Sequence, residues 1–264
     1  MPNINYVTKS LAIKIVYYGP GLSGKTTNLR YIYQHLNKDS RGEFLCMETP
    51  TERTLFFDLL PVKAGMIKEF TTHFHLMTVP GQVFYEASRR SVLKGADGIV
   101  FVADSQVPLL DANLENFDGL RKNLIEHSRD INLVPLVFQY NKRDLDNLIP
   151  VETFSSLFNS MGAPAVEASA VNGRGVFETL SEIAQLVVPK IREQIFWEKV
   201  QTDMGDERKR MEVAMSHESL VKQQRMSASN ETVDKKLEMT RLKFKSLNDV
   251  EKEIDKLQEE FLSS

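Results

Sequence analysis

Cysteine, excess basic charge and long apolar runs are all scarce in this 264-residue chain, and each shortage excludes a class of protein. The single cysteine, Cys46, cannot form an internal disulfide framework or a cysteine-rich metal cluster. The 33 lysines and arginines are outnumbered by 36 aspartates and glutamates, which argues against a general binder of nucleic acid or anionic membranes. No apolar run approaches the ~18 residues that a membrane span requires.

Targeting signals are also missing from both ends of the sequence. The first residues, Met-Pro-Asn, lack the charged and apolar regions of a signal peptide and the glycine needed for myristoylation. The last four residues, Phe-Leu-Ser-Ser, do not form a prenylation box. We therefore expect a soluble cytoplasmic protein with no integral membrane segment.

Glycine and proline almost disappear from the C-terminal quarter, and this change divides the chain near residue 195. Residues 196–264 contain one glycine, no proline and 28 charged residues, whereas the longer segment 1–195 contains 41 charged residues. A segment this polar cannot bury a core alone. We expect residues 1–195 to form one domain and residues 196–264 to form a charged, mostly helical extension.

Within the extension, apolar residues predict a heptad-like helical seam at 237–261. Leu247, Val250, Ile254 and Leu257 recur at steps of three and four, with lysine and glutamate between them. Three interpretations stay open: a helix docked on its own domain, self-association as a short coiled coil, and a helix that binds a partner.

Strand-like and helical patterns alternate through the first 195 residues. The predicted strands are 11–18, 72–79, 98–103, 136–140 and 165–167. The predicted helices are 25–37, 84–94, 108–127, 151–160 and 175–194. Nearly continuous Val, Ile and Phe is typical of strands buried on both faces of a parallel sheet. The order predicts a doubly wound α/β domain, which binds its ligand at the carboxyl ends of the strands.

Two histidines lie on one face of the alternating segment 72–79. His73 and His75 are two residues apart, a spacing at which they could share a metal ion. Exposure on an edge strand is the simpler interpretation, and it is the one that we predict.

The sharpest motif follows the first long strand and opens the first helix. It reads GPGLSGKT, from Gly19 to Thr26. Its glycines let backbone N–H groups surround phosphate oxygens, and the helix that follows adds its positive N-terminus. Lys25 is expected to reach the β- and γ-phosphates, and the Thr26 hydroxyl to bind magnesium. The predicted phosphate-binding residues are Gly19, Gly21, Leu22, Ser23, Gly24, Lys25, Thr26 and Thr27.

A second motif selects the base. Asn141, Lys142 and Asp144 follow the strand 136–140, so they lie at the same edge of the sheet. A carboxylate at Asp144 can accept hydrogen bonds from N1–H and the exocyclic amine of guanine, whereas adenine offers no such pair of donors. Backbone N–H groups of Ser169 and Ala170, after the strand 165–167, are expected to complete the pocket.

Two polar loops are candidates for contact with the γ-phosphate. Gly81 and Gln82 end the alternating strand, so that Gly81 lies near the phosphate and Gln82 can orient an attacking water. Arg53 and Thr54 belong to a loop after the first helix. A hydroxyl from that loop can supply a second magnesium ligand, and Arg53 can reach the charge of the transition state.

These motifs together resemble the MglA family of bacterial Ras-like small GTPases. The resemblance covers about residues 1–195. It depends on the runs VYYGPGLSGKTTN (16–28), TERTLFFD (51–58), FHLMTVPGQVFY (74–85), VADS (102–105) and YNKRD (140–144). The family implies a Ras-like P-loop fold that binds GTP, GDP and Mg²⁺ and acts in gliding motility and cell polarity. It also implies a small dimeric roadblock-type partner, MglB, that activates hydrolysis, and it leaves open recruitment to a cell pole.

The resemblance also implies roles for individual residues. Thr54 resembles the magnesium threonine of the first switch loop, Arg53 the arginine that the family supplies in cis, and Gln82 the glutamine that positions water. Thr78 stands where most Ras-like proteins have an aspartate next to magnesium, a substitution typical of this family. Because a hydroxyl carries no charge, we expect weaker Mg²⁺ dependence in the GDP state. The extension 196–264 has no counterpart in the family.

Three functions are compatible with the motifs. The favoured one is a regulatory GTPase that hydrolyses GTP slowly and is controlled by partners and effectors. The second is a GTP-binding scaffold with negligible hydrolysis, whose state the extension sets. The third is a P-loop ATPase or nucleotide kinase, and Asp144 argues against it because its carboxylate selects guanine.

Overall fold

The computed structural model describes residues 3–46, 57–80 and 85–197. The strands in these residues are β1 (Asn3–Asn5), β2 (Ser10–Tyr18), β3 (Leu45–Cys46), β4 (Asp58–Ile67), β5 (Phe70–Thr78), β6 (Gly98–Asp104), β7 (Leu136–Asn141) and β8 (Ala165–Glu167). The helices are α1 (Lys25–His35), α2 (Glu86–Leu93), α3 (Leu110–Glu126), α4 (Val151–Phe158) and α5 (176–197). None of these helices combines the length and hydrophobicity needed to cross a bilayer.

The strands form one sheet with the order β3-β4-β5-β2-β6-β7-β8, and β1 pairs with the beginning of β2. The pairs from β5 through β8 are parallel, whereas β4 is antiparallel to both of its neighbours. The predicted doubly wound, mostly parallel α/β architecture is confirmed. The predicted boundary near residue 195 stays a prediction, and the seam at 237–261 lies outside the described residues.

Strand β4 is the long element that the sequence patterns did not predict. Its sequence contains Pro61, which strands normally avoid, and Gly65, which has a positive φ of 81°. Its register against β5 shifts between Lys63 and Met66, as at a bulge. These three features interrupt the alternation by which a strand is recognised.

Because β4 is present, β5 is an interior strand and not an edge strand. It pairs with β4 on one side and with β2 on the other. His73 and His75 are half-buried on it. The prediction that these histidines lie exposed on an edge strand is therefore wrong.

Two apolar layers cover the two faces of the sheet. Ile13, Ile15 and Tyr17 of β2 point into the layer that contains residues of α1 and α5. Val16 and Tyr18 point into the layer that contains residues of α2 and α3. The loop after β2 therefore leaves the sheet between two filled layers, and this packing fixes its position.

Gly98, at the start of β6, tests how tightly α5 packs on the sheet. A Cβ atom there would lie 2.6 Å from Val187 Cγ2 and 3.0 Å from Ile183 Cδ1. Since overpacking a filled core costs about 1–3 kcal/mol, we expect Gly98→Ala to lower the free energy of unfolding in urea by that amount. Gly119→Ala is the control: its Cβ would meet only Tyr18 Oη at 3.6 Å, and alanine favours the α3 helix. Equal stability of the two variants would contradict close packing of α5.

Candidate nucleotide-binding site

The loop between β2 and α1 has a shape that only glycine allows at two positions. Gly19 has a φ of 146°, and a Cβ there would lie 2.2 Å from the carbonyl oxygen of Val102. Gly24 has a φ of 100°, and its Cβ would lie 2.2 Å from Nδ2 of Asn141. The backbone of the loop thus runs directly against β6 and β7. The N-cap position of α1 is Gly24, which has no side chain to cap the helix, and the N–H groups of a first helical turn can bind an anion.

Lys25 is buried beneath this loop and holds its shape. The ammonium group donates to the carbonyl oxygens of Gly19 at 2.9 Å and Pro20 at 2.6 Å. Burial, and to a smaller extent the nearby Arg89, lower the pKa of Lys25 to about 7, although the Asp58 carboxylate acts in the opposite direction. A buried cation at the N-terminus of a helix is suited to bind phosphate oxygens.

A buried carboxylate lies beside the hydroxyl of Thr26. Asp58, the first residue of β4, is 5% exposed. Its Oδ2 accepts hydrogen bonds from Thr26 Oγ1 at 2.6 Å and from Thr78 Oγ1 at 2.9 Å. Its backbone N–H in turn donates to Thr78 Oγ1 at 2.9 Å. Thr78 carries no charge at the position where most Ras-like proteins have an aspartate. Here the carboxylate beside Thr26 comes instead from Asp58 on the neighbouring strand β4.

These groups fit a magnesium ion that is bound together with phosphates. Magnesium prefers hard oxygen ligands and usually takes one or two from the protein, while substrate phosphates and waters supply the others. Thr26 Oγ1 is oriented by Asp58 and keeps lone pairs for a metal. Within the described residues no cluster of three or more His, Cys, Asp or Glu side chains could hold a metal by itself. The predicted second ligand, Thr54, lies outside those residues.

Asn141 joins the three loops of the site. Its side chain is almost fully buried; Nδ2 donates to the carbonyl oxygen of Ser23 at 2.7 Å, and Oδ1 accepts from the backbone N–H of Ala170 at 2.8 Å. The loops that begin at β2, β7 and β8 are thereby held at one edge of the sheet. In the part of the chain that the structure describes, the buried hydroxyls of Ser23 and Ser169 have no hydrogen-bond partner.

Lys142 and Asp144 occupy different environments in the loop after β7. Lys142 has a left-handed backbone with a φ of 66°, and its ammonium group lies 2.6 Å from the buried carboxylate of Asp104, the last residue of β6. That ion pair fixes the lysine stem along the loop. Asp144 is exposed, so its carboxylate is accessible to a base.

A buried polar network supports the site from below. The side-chain amides of Asn28 and Gln139 exchange two hydrogen bonds of 2.8 and 2.9 Å, and Asn28 also donates to the carbonyl oxygen of Gly24. Gln139 donates to Thr179 Oγ1 at 2.9 Å. The network links α1, β7 and α5, and because the side chains of Asn28, Gln139 and Thr179 are all buried it limits movement of the first turn of α1.

The structure brings together most of the predicted site residues and also adds others. Of the loop side chains, Leu22 points away: it is 91% exposed, with a φ of 61°. Gly21, Thr26 and Thr27 are half-buried. The predicted residues Arg53, Thr54, Gly81 and Gln82 lie outside the described residues.

The residues that the sequence patterns missed are Asp58, Asp104, Asn28, Gln139 and Thr179. Three of them, Asn28, Asp58 and Asp104, were within the runs 16–28, 51–58 and 102–105 that carry the family resemblance, which was the one available signal.

Comparison with known proteins identifies the family of this chain. No protein-family model matches the chain. It is 51% identical over 192 residues to the mutual gliding-motility protein MglA of Myxococcus xanthus (strain DK1622), an alignment that covers 73% of this chain and 98% of that protein. It is also 34% identical over 121 residues to elongation factor 4 of Thermus thermophilus, covering 44% of this chain and 18% of that protein. The extent of the first match, together with the architecture of the sheet, shows that the chain belongs to the MglA family of Ras-like small GTPases.

Proposed function

We propose that this protein is a regulatory switch that binds GTP and GDP, hydrolyses GTP slowly and is controlled by partners. The observation that carries the proposal is the bridge made by Asn141, which joins the phosphate loop to the loops proposed to select the base. A site assembled in this way would bind the phosphates and the base of one guanine nucleotide at the same time.

Guanine selection in this proposal depends on the loop after β7. Asp144 is exposed at the rim and would accept two hydrogen bonds from the guanine edge. The Lys142 stem, held by Asp104, would cover one face of the base. Ser169 and Ala170 would border the pocket beneath it; their backbone N–H groups donate to the carbonyl oxygen of Arg174 and to Asn141 Oδ1, so contact of these N–H groups with the base would require those hydrogen bonds to open.

The proposed hydrolysis is an in-line attack of water on the γ-phosphate. Magnesium, when bound, neutralises charge on the phosphate oxygens; Thr26 and Thr54 would hold it, and Lys25 would bind the phosphates beside it. Gln82 would orient the water, and Arg53 would reach the transition state from the same chain. Unassisted Ras-type hydrolysis runs at about 10⁻⁴ s⁻¹, and a correctly placed arginine accelerates it by ~10³–10⁵. Because hydrolysis without the arginine is so much slower, the lifetime of the GTP-bound state would depend on a partner that orders the loop of Arg53.

The partner and the process follow from the family. A relative's name refers to mutual gliding motility, and we propose a role for this chain in motility or cell polarity. An MglB-like roadblock dimer is the proposed activator, acting on a cytoplasmic protein that is recruited to a cell pole. For residues 196–264 the three interpretations stay open: docking on their own domain, self-association, and binding of an effector or other partner.

Single-turnover hydrolysis by the full-length protein tests the proposal, with ATP as the control. We expect slow turnover of GTP and none of ATP. Turnover of ATP at a similar rate would contradict a guanine-specific switch. Tight GTP binding with no turnover, even with the roadblock partner, would instead indicate the scaffold function.

Asp144→Asn should change the base preference while leaving the fold intact. An amide cannot accept both hydrogen bonds from guanine, so GTP affinity should fall by about 10- to 100-fold. Xanthosine triphosphate, which presents an oxygen in place of the amine, should bind better to the variant than to the parent protein. Competition binding with both nucleotides measures the shift. Asp146→Asn, an exposed neighbour with the same charge change, should keep GTP preference.

A further inference from the structure

One face of the interior strand β5 is half-open at its beginning. Register places two rows of side chains there: Lys63, His73 and Ala12 in one, and Pro61, His75 and Lys14 in the other. Lys63 is exposed and the other five are half-buried. We name these six residues the β5 face.

The opposite face of the same strands is filled. Phe74, Leu76 and Ile13, which alternate with the residues of the β5 face, are 7%, 0% and 0% exposed. Backbone pairing is also complete, since β5 has a strand on each side. Open α/β sheets normally bury both faces under helices. The β5 face is therefore open to a partner that lies across the strands, and not to one that extends the sheet edge.

The charge of the β5 face comes from its two lysines. The pKa of His75 is lowered by burial, by His73 and by Lys14, so this imidazole is neutral near pH 7. The Asp97 carboxylate accepts a hydrogen bond from the backbone N–H of Lys14 at 2.8 Å and partly offsets the charge of the Lys14 side chain. The Lys14 ammonium group donates to the carbonyl oxygen of Lys94 at 3.0 Å. Lys63 lies in the outer row, across from His73. The surface is thus basic on a chain whose net charge is −3.

We propose that the β5 face docks an acidic amphipathic helix of a protein partner. Three strands spaced about 4.8 Å apart span about 10 Å, which matches the diameter of one helix. Ala12 and Pro61 offer apolar contact beside the lysines on the same two strands, and Lys14 and Lys63 lie on opposite outer strands, where they can meet carboxylates on both sides of that helix. This docking surface is separate from the nucleotide site, and the proposal does not depend on the function proposed for the nucleotide site.

Other ligands fit the β5 face less well. The pair His73 and His75 could chelate a divalent cation, but two neighbouring lysines repel one. A single-stranded nucleic acid would need exposed aromatic side chains on which its bases stack, but the six residues of the face include no Phe, Tyr or Trp, and both imidazoles are half-buried. Acidic protein surface satisfies both the lysines and the apolar positions.

The test uses the full-length protein and a fluorescent amphipathic peptide of leucine, alanine and glutamate, with a twin in which lysine replaces every glutamate. We expect the acidic peptide to bind and the basic twin not to bind, with affinity that falls as salt rises. Lys63→Glu should weaken the acidic peptide about tenfold and create weak binding of the basic one. Lys122→Glu, on the exposed side of α3, is the matched control and should change neither. GDP affinity should be the same in both variants.

Several results would overturn the proposal. They are no measurable binding of the acidic peptide, equal binding of its basic twin, and equal weakening by Lys63→Glu and Lys122→Glu. Binding of Zn²⁺ or of a single-stranded oligonucleotide that depends on the β5 face and exceeds peptide binding would assign the face to another ligand.

Discussion

Lys25→Met is expected to lower the affinity for GDP and GTP by about 10³-fold. The ammonium group is buried at the N-terminus of α1, where it already donates to two carbonyl oxygens of the phosphate loop. Its removal deletes a charge-assisted contact to phosphate and two bonds that shape the loop, and such losses in a buried site total about 4 kcal/mol. The variant should still fold, because a neutral side chain of similar length removes a desolvated charge.

The lowered pKa of Lys25 makes nucleotide binding depend on pH. With a pKa of about 7 in the free protein, against 10.5 in the unfolded chain, Lys25 gives up its proton as pH rises through 7. Bound phosphates favour the charged form, so binding above pH 7 takes up a proton, and affinity falls by up to about tenfold per pH unit. Stability changes in the opposite direction. Between pH 7 and 10.5 the unfolded chain holds more protons at this group, so the free protein gains stability as pH rises.

Calorimetry at pH 8 in two buffers with different heats of ionisation measures this proton uptake. We expect close to one proton per GDP for the parent protein and none from this group in Lys25→Met. Lys122→Met, an exposed lysine on α3, is the control and should behave as the parent. Equal proton uptake by the parent and Lys25→Met would show that another group is responsible.

How far the sequence predicted this molecule depends on the distance over which each signal acts. The strands β2, β6 and β7 were predicted because each is a local apolar run, and the residues of the phosphate loop because they are contiguous. Strand β4 was missed because Pro61 and Gly65 interrupt its pattern.

The same limit explains the missed parts of the site. Asp58 reaches Thr26 and Thr78 across 32 and 20 positions of sequence, through a strand whose existence was not predicted. The amide pair of Asn28 and Gln139 is separated by 111 positions. Neither arrangement has a local pattern, because only the register of the sheet brings the partners together.

Exchange of Asp58 and Thr78 tests whether the carboxylate of β4 replaces the one that most Ras-like proteins carry on the next strand. Asp58→Thr should weaken Mg²⁺-dependent GDP binding by about 10²-fold, because it removes the charge that orients Thr26 Oγ1. The double variant Asp58→Thr/Thr78→Asp should recover most of that loss. The two residues lie on neighbouring antiparallel strands and are hydrogen-bonded to each other, so the exchange returns the charge to nearly the same place.

The measurement is the rate of release of a fluorescent GDP analogue as Mg²⁺ is titrated, with the thermal stability of each variant as a second readout. Asp58→Asn is the matched control, since it keeps the shape of the side chain and removes its charge. It should lose the Mg²⁺ response even though the shape is kept. The sequence alone predicted weak Mg²⁺ dependence in the GDP state, because Thr78 carries no charge. A full Mg²⁺ response in Asp58→Asn would show that the response does not need the charge of Asp58 and would limit Asp58 to tying β4 to α1, whereas a weak response in the parent protein would agree with the expectation from Thr78. We expect strong Mg²⁺ dependence in the parent protein, its loss in Asp58→Thr and Asp58→Asn, and its return in the double variant Asp58→Thr/Thr78→Asp. That result would show that the charge moved from one strand to its neighbour while the ion-binding chemistry stayed the same.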